Sequence, residues 1–153
     1  YASGQDRLLV LIDYTKPSTE KRFYILDLLQ KKLLLSTYVA HGRGSGDNYA
    51  VAFSNRPGSY QSSLGFFRTG DTYMGKNGYS LFLDGLEKGI NDKARERAIV
   101  VHGANYADPA VLKGQQRLGR SLGCPALPPD ISKQVIDTIK GGVLLYIYGL
   151  NKA

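Results

Sequence analysis

Short apolar runs, 18 glycines to punctuate them and 11 tyrosines predict a β-dominated fold for this 153-residue chain. Glycine supplies the turns that many short strands need, and aromatic side chains suit a pleated, half-buried surface. The length fits one domain over residues 1–153, able to bury about two-thirds of its unfolded surface without disulfide or metal support. No internal repeat, low-complexity stretch or linker interrupts it.

The first strand is predicted from Arg7 to Ile12, followed by a turn through Asp13-Tyr14-Thr15-Lys16-Pro17-Ser18. Arg22 to Leu28 and Leu33 to Ala40 read as a hairpin joined by Gln30-Lys31-Lys32, rich in branched and aromatic residues. The stretch His41 to Asn48 holds too much glycine for regular structure. Tyr49 to Phe53 reads as a strand, and Ser54 to Ser63 as a polar connection. Leu64 to Thr69 and Tyr79 to Leu83 read as strands flanking a turn from Gly70 to Gly78. Asn91 to Arg97 has the look of a short helix with Asn91 as its N-cap. Ala98 to Val101 is wholly apolar, hence a central buried strand, and Asn105 to Gly119 is a polar loop. Pro128-Pro129-Asp130 starts a helix in which Ile131, Val135 and Ile139 recur on one face with Ile136 beside them. Gly141-Gly142 ends it, and Val143 to Tyr148 is the last strand.

Composition narrows the function classes. No run approaches the roughly 18 apolar residues of a membrane span. A net charge of +7 favours acidic partners, yet the 20 Lys and Arg are scattered and form no nucleic-acid signature. A salt-dependent shift on DNA would be the cheap check of that alternative. One cysteine rules out an intramolecular disulfide and leaves the redox compartment open. Two histidines and one cysteine, none at ligand spacing, make no zinc set, and no cofactor motif is present. The opening Tyr1-Ala2-Ser3-Gly4 suggests a processed chain whose targeting segment has been removed.

Chemistry concentrates in Arg120-Ser121-Leu122-Gly123-Cys124-Pro125, which carries the single thiol, and in His102 at the end of the run Ala98-Ile99-Val100-Val101. A thiolate nucleophile needs a base to take its proton, and the two meet in space rather than along the chain. On residue types alone, a buried structural cysteine with an unrelated histidine fits equally well.

His102-Gly103, a spacer, then Ser121-Leu122-Gly123-Cys124 resembles the catalytic motif of the L,D-transpeptidases, the cysteine enzymes of bacterial peptidoglycan. The resemblance is sharpest to the murein L,D-transpeptidase catalytic-domain-like branch. It extends through Tyr38-Val39-Ala40-His41-Gly42-Arg43-Gly44-Ser45-Gly46, Ser62-Ser63-Leu64-Gly65, Gly78-Tyr79-Ser80-Leu81 and Gly119-Arg120-Ser121 with Gly123-Cys124-Pro125-Ala126. The commoner branch follows Cys with an aliphatic residue and then Arg or Asn. Pro125-Ala126 stands there instead, so contacts assigned to that Arg or Asn do not carry over.

The resemblance implies a β-sandwich or open barrel of mixed sheets with one or two short helices. It implies Cys124 as nucleophile, His102 as base and the Gly103 carbonyl as the group that fixes the imidazole tautomer. Backbone N–H groups of Gly123 and Cys124 would form the oxyanion hole, with Ser121 bonding within the turn or to His102. Tyr79, Arg120, His41 and Arg43 are substrate-binding candidates, each with a plain reading as packing or surface residue; His41 is favoured as part of a pocket rim or a structural loop. The implied reaction attacks the bond between diaminopimelate at position 3 and the terminal D-Ala of a stem peptide, with no cofactor. An amine acceptor would give 3→3 cross-links, and water an L,D-carboxypeptidase. A non-catalytic wall-binding module is the alternative from another class. Peptidoglycan implies export, typically to the periplasm, with a cytoplasmic recycling role as the other option, and such enzymes are typically acylated by carbapenems.

Overall fold

The computed structural model describes residues 6–152, so the expectation about Tyr1 to Gly4 lies outside the described residues. Its frame is one mixed eight-stranded sheet in the order β3-β2-β1-β8-β4-β5-β6-β7. The strands are β1 (Leu8–Asp13), β2 (Phe23–Asp27), β3 (Lys32–Thr37), β4 (Gly65–Gly75), β5 (Gly78–Gly85), β6 (Val100–Gly103), β7 (Ala126–Leu127) and β8 (Leu144–Tyr148). One α-helix, α1 (Pro129–Ile139), and three short 3₁₀ turns complete the regular structure among the described residues.

The two ends of the sheet meet. Just beyond β3, Ala40 forms an antiparallel bridge with Ala126 of β7, and Gly42 a parallel one with Ser121. The Ala40 amide donates to Ala126 O (2.8 Å), and Arg43 N and Ser121 N donate to Ser121 O (2.8 Å) and His41 O (2.9 Å) respectively. The sheet is therefore nearly closed, which removes an open edge. The open-barrel form of the expected fold is the one adopted, and the cysteine turn lies on its seam.

Alternation explains the strands. Val10 and Ile12, Phe23 and Ile25, Leu81 and Leu83, and Leu145 and Ile147 all point into one core, each almost fully buried. Helix α1 closes that core with Val135, Ile136 and Ile139, while Ile131 is half-buried at its start. Its C-terminus is tied to a bulge in β4, where Thr69 Oγ1 donates to Ile139 O (2.6 Å). Among the described residues, no helix is long and apolar enough to cross a membrane.

Four expectations need correction. The turn from Gly70 to Gly78 is shorter than expected, because β4 continues through its bulge to Gly75 and only Lys76-Asn77 turn the hairpin. Tyr49 to Phe53 is not a strand: Val51 N and Ala52 N both donate to Ser45 O, and Phe53 N to Asn151 Oδ1, so no ladder is available to it. Asn91 to Arg97 forms turns rather than a helix, and Asn91 caps nothing downstream. Its buried carboxamide instead accepts from Glu87 N and donates to Leu64 O and Phe66 O. The apolar run begins its strand at Val100, because Ala98 has φ +56°. There Ile99 N donates to Ala94 O and Ala98 N to Arg95 O, a pair of bonds that ends the run of turns with a residue other than glycine in the left-handed position.

Candidate active site

Cys124 sits in the turn that leads into β7, half-buried, and next to β6. Ser121 shapes that turn. Its hydroxyl donates to Cys124 O (2.6 Å) and accepts the Gly123 N–H (3.1 Å), and Gly123 adopts φ +127°, which a side chain would strain. A residue wider than glycine at position 42 would also collide with the turn, since its Cβ would lie 2.9 Å from the Gly123 Cα.

The two amides expected to form the oxyanion hole differ in their partners. The Gly123 N–H is engaged by the Ser121 hydroxyl (3.1 Å). The Cys124 N–H has no acceptor among the described residues.

His102 is buried on β6, in register with Ser80 of β5 and Ala126 of β7. Its Nδ1 lies 2.9 Å from Gly103 O. A carbonyl only accepts, so the neutral ring carries its proton on Nδ1 and presents Nε2 as a bare lone pair. Burial pushes the His102 pKa below the ordinary histidine value, with the Gly103 carbonyl opposing that shift. The thiol rests elsewhere. Cys124 Sγ donates toward Ala98 O and accepts from Val100 N–H, both at 3.4 Å, and no hydrogen bond joins it to His102 among the described residues. Burial raises the thiol pKa, while the Val100 N–H and the cations Arg97 and Lys76 act to lower it.

The other candidates divide sharply. Tyr79 lines an open cavity of about 500 Å³ with Lys76, Asn77, Gly103, Asn105, Tyr106 and Ser132; Gly103 borders it, whereas His102 and Cys124 are not in its lining. Its hydroxyl is held by Asp137 (2.6 Å) on α1. Arg43 is exposed and stacks its guanidinium over the Tyr60 ring at 5.2 Å. Arg120 is turned away to Asp47 Oδ1 (3.1 Å) and Gly46 O (3.3 Å), so it fastens the Gly-rich loop. The 105–119 loop is pinned at its base by Leu118 N on Ser18 Oγ and Gly119 N on Tyr106 O.

His41 is corrected as a substrate contact: it is 1% exposed and both ring nitrogens are taken. Arg22 Nη2 lies 2.8 Å from its Nδ1, and a guanidinium can only donate, so Nε2–H donates to Gly46 O (3.1 Å). Burial and the Arg22 charge hold its pKa near 4. The unfolded state therefore binds a proton that the folded state refuses. That stability contribution is complete above pH 6.5 and is lost as pH falls through 4. The gap corresponds to about 3 kcal/mol, and denaturant melts at pH 7 and pH 4 will show it. Replacing His41 with Gln flattens that part of the pH dependence, whereas an unchanged slope would place the acid lability elsewhere.

The residues that sequence reasoning missed are the thiol's backbone partners, Ala98 and Val100, and two buried or half-buried arginines, Arg22 and Arg97. Arg97 had one visible signal: it stands at the head of the apolar run that ends in His102. Among the described residues no group of three or more His, Cys, Asp or Glu could hold a metal ion.

Several solved structures share the fold of this chain at low identity. An L,D-transpeptidase from Mycobacterium smegmatis superposes with TM-score 0.55 and 13% identity over 94% of this chain and 59% of its own. LdtMt1, solved in complex with imipenem, gives 0.54 and 14% over 94% of this chain and 59% of its own. The helical cell shape determining protein Pgp2 from Campylobacter jejuni gives 0.62 and 16% over 97% of this chain and 50% of its own. The chain thus spans between half and three-fifths of the length of these proteins. No curated protein matches it. The profile of the L,D-transpeptidase catalytic domain matches residues 1–148, nearly the whole sequence. With that match on top of the nearly closed mixed sheet, the chain belongs to the L,D-transpeptidase catalytic domain family.

Proposed function

We propose that this chain is a cysteine acyltransferase acting on peptidoglycan stem peptides, with residues 1–153 working as one catalytic domain. The observation that carries the reading is the 2.9 Å bond from His102 Nδ1 to Gly103 O, which holds a basic Nε2 beside the strand that Cys124 leads into. On this reading the thiol turns from Ala98 O toward His102 and gives its proton to Nε2. The thiolate attacks the carbonyl of the third stem residue, a diaminopimelate, and the Cys124 N–H accompanies the oxyanion that forms. The imidazolium returns the proton to the departing D-Ala amine, leaving a thioester on Sγ. An amine from a second diaminopimelate then forms a 3→3 cross-link, or water releases a tripeptide. The cavity lined by Tyr79, Lys76 and Tyr106 is the place for the peptide, and a wall substrate puts the enzyme outside the inner membrane.

Incubation with a disaccharide-tetrapeptide, read by mass spectrometry, tests this. Loss of D-Ala is expected; a cross-linked dimer selects transpeptidation and a tripeptide selects carboxypeptidation. Neither product from protein with an intact thiol would overturn the reading. Because the similar LdtMt1 is known in complex with imipenem, a covalent imipenem adduct on Cys124 is the companion expectation.

A further inference from the structure

Arg97 is a cation without a counter-charge at the edge of the nucleophile turn. Its guanidinium donates to Ser54 O (2.8 Å), Ser63 Oγ (2.7 Å), Ser59 Oγ (3.2 Å) and Gln61 O (2.8 Å), four neutral oxygens on one irregular segment. Among the described residues no carboxylate pairs with it. Its Nη2 would stand 3.4 Å from the Cβ that Gly123 lacks. The backbone stop at Ala98, with its left-handed φ, fixes the residue that follows Arg97 and so the direction from which the side chain arrives. A half-buried guanidinium held this rigidly keeps its full charge beside the turn, because surrounding carbonyl and hydroxyl dipoles orient a cation without cancelling it.

We propose that Arg97 is a positioning residue for the nucleophile: it clamps segment 54–63 beneath the Gly123–Cys124 turn and its uncompensated charge favours the thiolate of Cys124. The catalytic meaning of this placement rests on Cys124 acting as the nucleophile, whereas the effect of the charge on the thiol does not. The other charged or titratable groups around the thiol are Lys76 from the β4–β5 hairpin, His102 from β6, and Tyr14 and Tyr106 from the flanking loops. Arg97 and Lys76 are the cations that act on the thiol, and of the two Lys76 is exposed whereas Arg97 is fastened.

Cys124 is the only cysteine, so the pH dependence of iodoacetamide alkylation reads this one thiol directly and needs no peptidoglycan. Arg97→Gln is expected to move the alkylation profile up by about one pH unit and slow the reaction about tenfold at neutral pH. Arg97→Lys keeps the cation and is expected to stay close to wild type. Ser59→Asp places a carboxylate against the guanidinium without removing it, and is expected to slow alkylation while holding or raising thermal stability. A purely structural Arg97 would only be helped by the new ion pair, and Ser59→Asp made together with Arg97→Gln shows how much of the slowing the added carboxylate causes by itself. An unchanged profile in folded Arg97→Gln or in Ser59→Asp overturns the proposal, as does an Arg97→Lys profile shifted as far as that of Arg97→Gln. If Cys124→Ala still releases D-Ala while these alkylation shifts appear, the nucleophile reading fails and the electrostatic one stands.

Discussion

Cys124→Ala is expected to lower D-Ala release from a disaccharide-tetrapeptide by at least about 10³-fold, without loss of the fold. The fold survives because Cys124 Sγ makes two long contacts at 3.4 Å, and the turn is held by Ser121 and by the seam bonds at Ala40 and Arg43. Cys124→Ser is expected to behave almost as badly, since a hydroxyl is far less acidic than a thiol and the geometry offers one base. His102→Gln removes that base and is expected to cost about 10²- to 10⁴-fold. The pH dependence follows from the directions of the shifts. Burial lowers the His102 pKa, so the neutral base persists below the ordinary histidine range and the acid limb of kcat/KM falls below pH 6.5. In the same acid range His41 draws stability out of the fold, so the limb has to be measured on protein shown to be folded at each pH. An acid limb at or above pH 6.5 would mean that His102 is not the neutral base, and residual turnover in folded Cys124→Ala would remove the thiol from the reaction.

The fold was legible where periodicity was strong. Val10, Ile12, Phe23, Ile25, Val135 and Ile139 sit where alternation or the four-residue spacing puts them, because burial of one face decides those elements locally. Tyr49 to Phe53 misled for the opposite reason: aromatic and branched residues suit a strand, but a strand also needs a neighbour. Here Ser45 and the C-terminal tail absorb the hydrogen bonds. The two-residue strand β7 was invisible, since Ala126-Leu127 has no periodicity to detect and exists only because His102 and Ala40 lie on either side of it. The same closure explains the candidate site. Residue types alone left Cys124 and His102 open between a structural and a reactive pair; the motif resemblance singled them out with Ser121, because such a motif is a local string of residues. The thiol's rest on Ala98 O, the Ser121 claim on the Gly123 N–H and the burial of His41 come from contacts across the seam, between segments far apart in sequence.

Arg22→Ala is expected to be the most destabilising single change away from the thiol, at about 3–5 kcal/mol, or a fall in Tm of about 10 °C. Arg22 is fully buried, and among the described residues no carboxylate forms an ion pair with it. Its Nε and Nη2 donate to Val39 O (3.0 and 2.6 Å), its Nη1 to Lys16 O (3.0 Å) and its Nη2 to His41 Nδ1, and its guanidinium lies 4.8 Å from the Tyr14 ring centre. Two effects compete. Burying a lone cation is unfavourable, and burial does depress the Arg22 pKa to about 10. Removing it, however, strands two buried acceptors, Val39 O and His41 Nδ1, and the part-buried Lys16 O, and leaves a cavity against Tyr14; each orphaned buried acceptor costs about 1–3 kcal/mol. The second effect wins for alanine. Arg22→Met fills most of the volume and also lifts the desolvation penalty, so it is expected to cost clearly less. The loss should be local as well as global. Val39, Ala40 and His41 form the length of chain that closes the sheet, so hydrogen exchange at the Ala40, Arg43 and Ser121 amides is expected to accelerate more than at β1. Alkylation of Cys124 should rise with it, because the turn that shelters the thiol is bonded to that same segment. Uniform loss of protection across β1 and the seam would show that Arg22 supports the core in general. Selective loss at the seam would show that a buried arginine far from the chemistry holds the barrel shut around it.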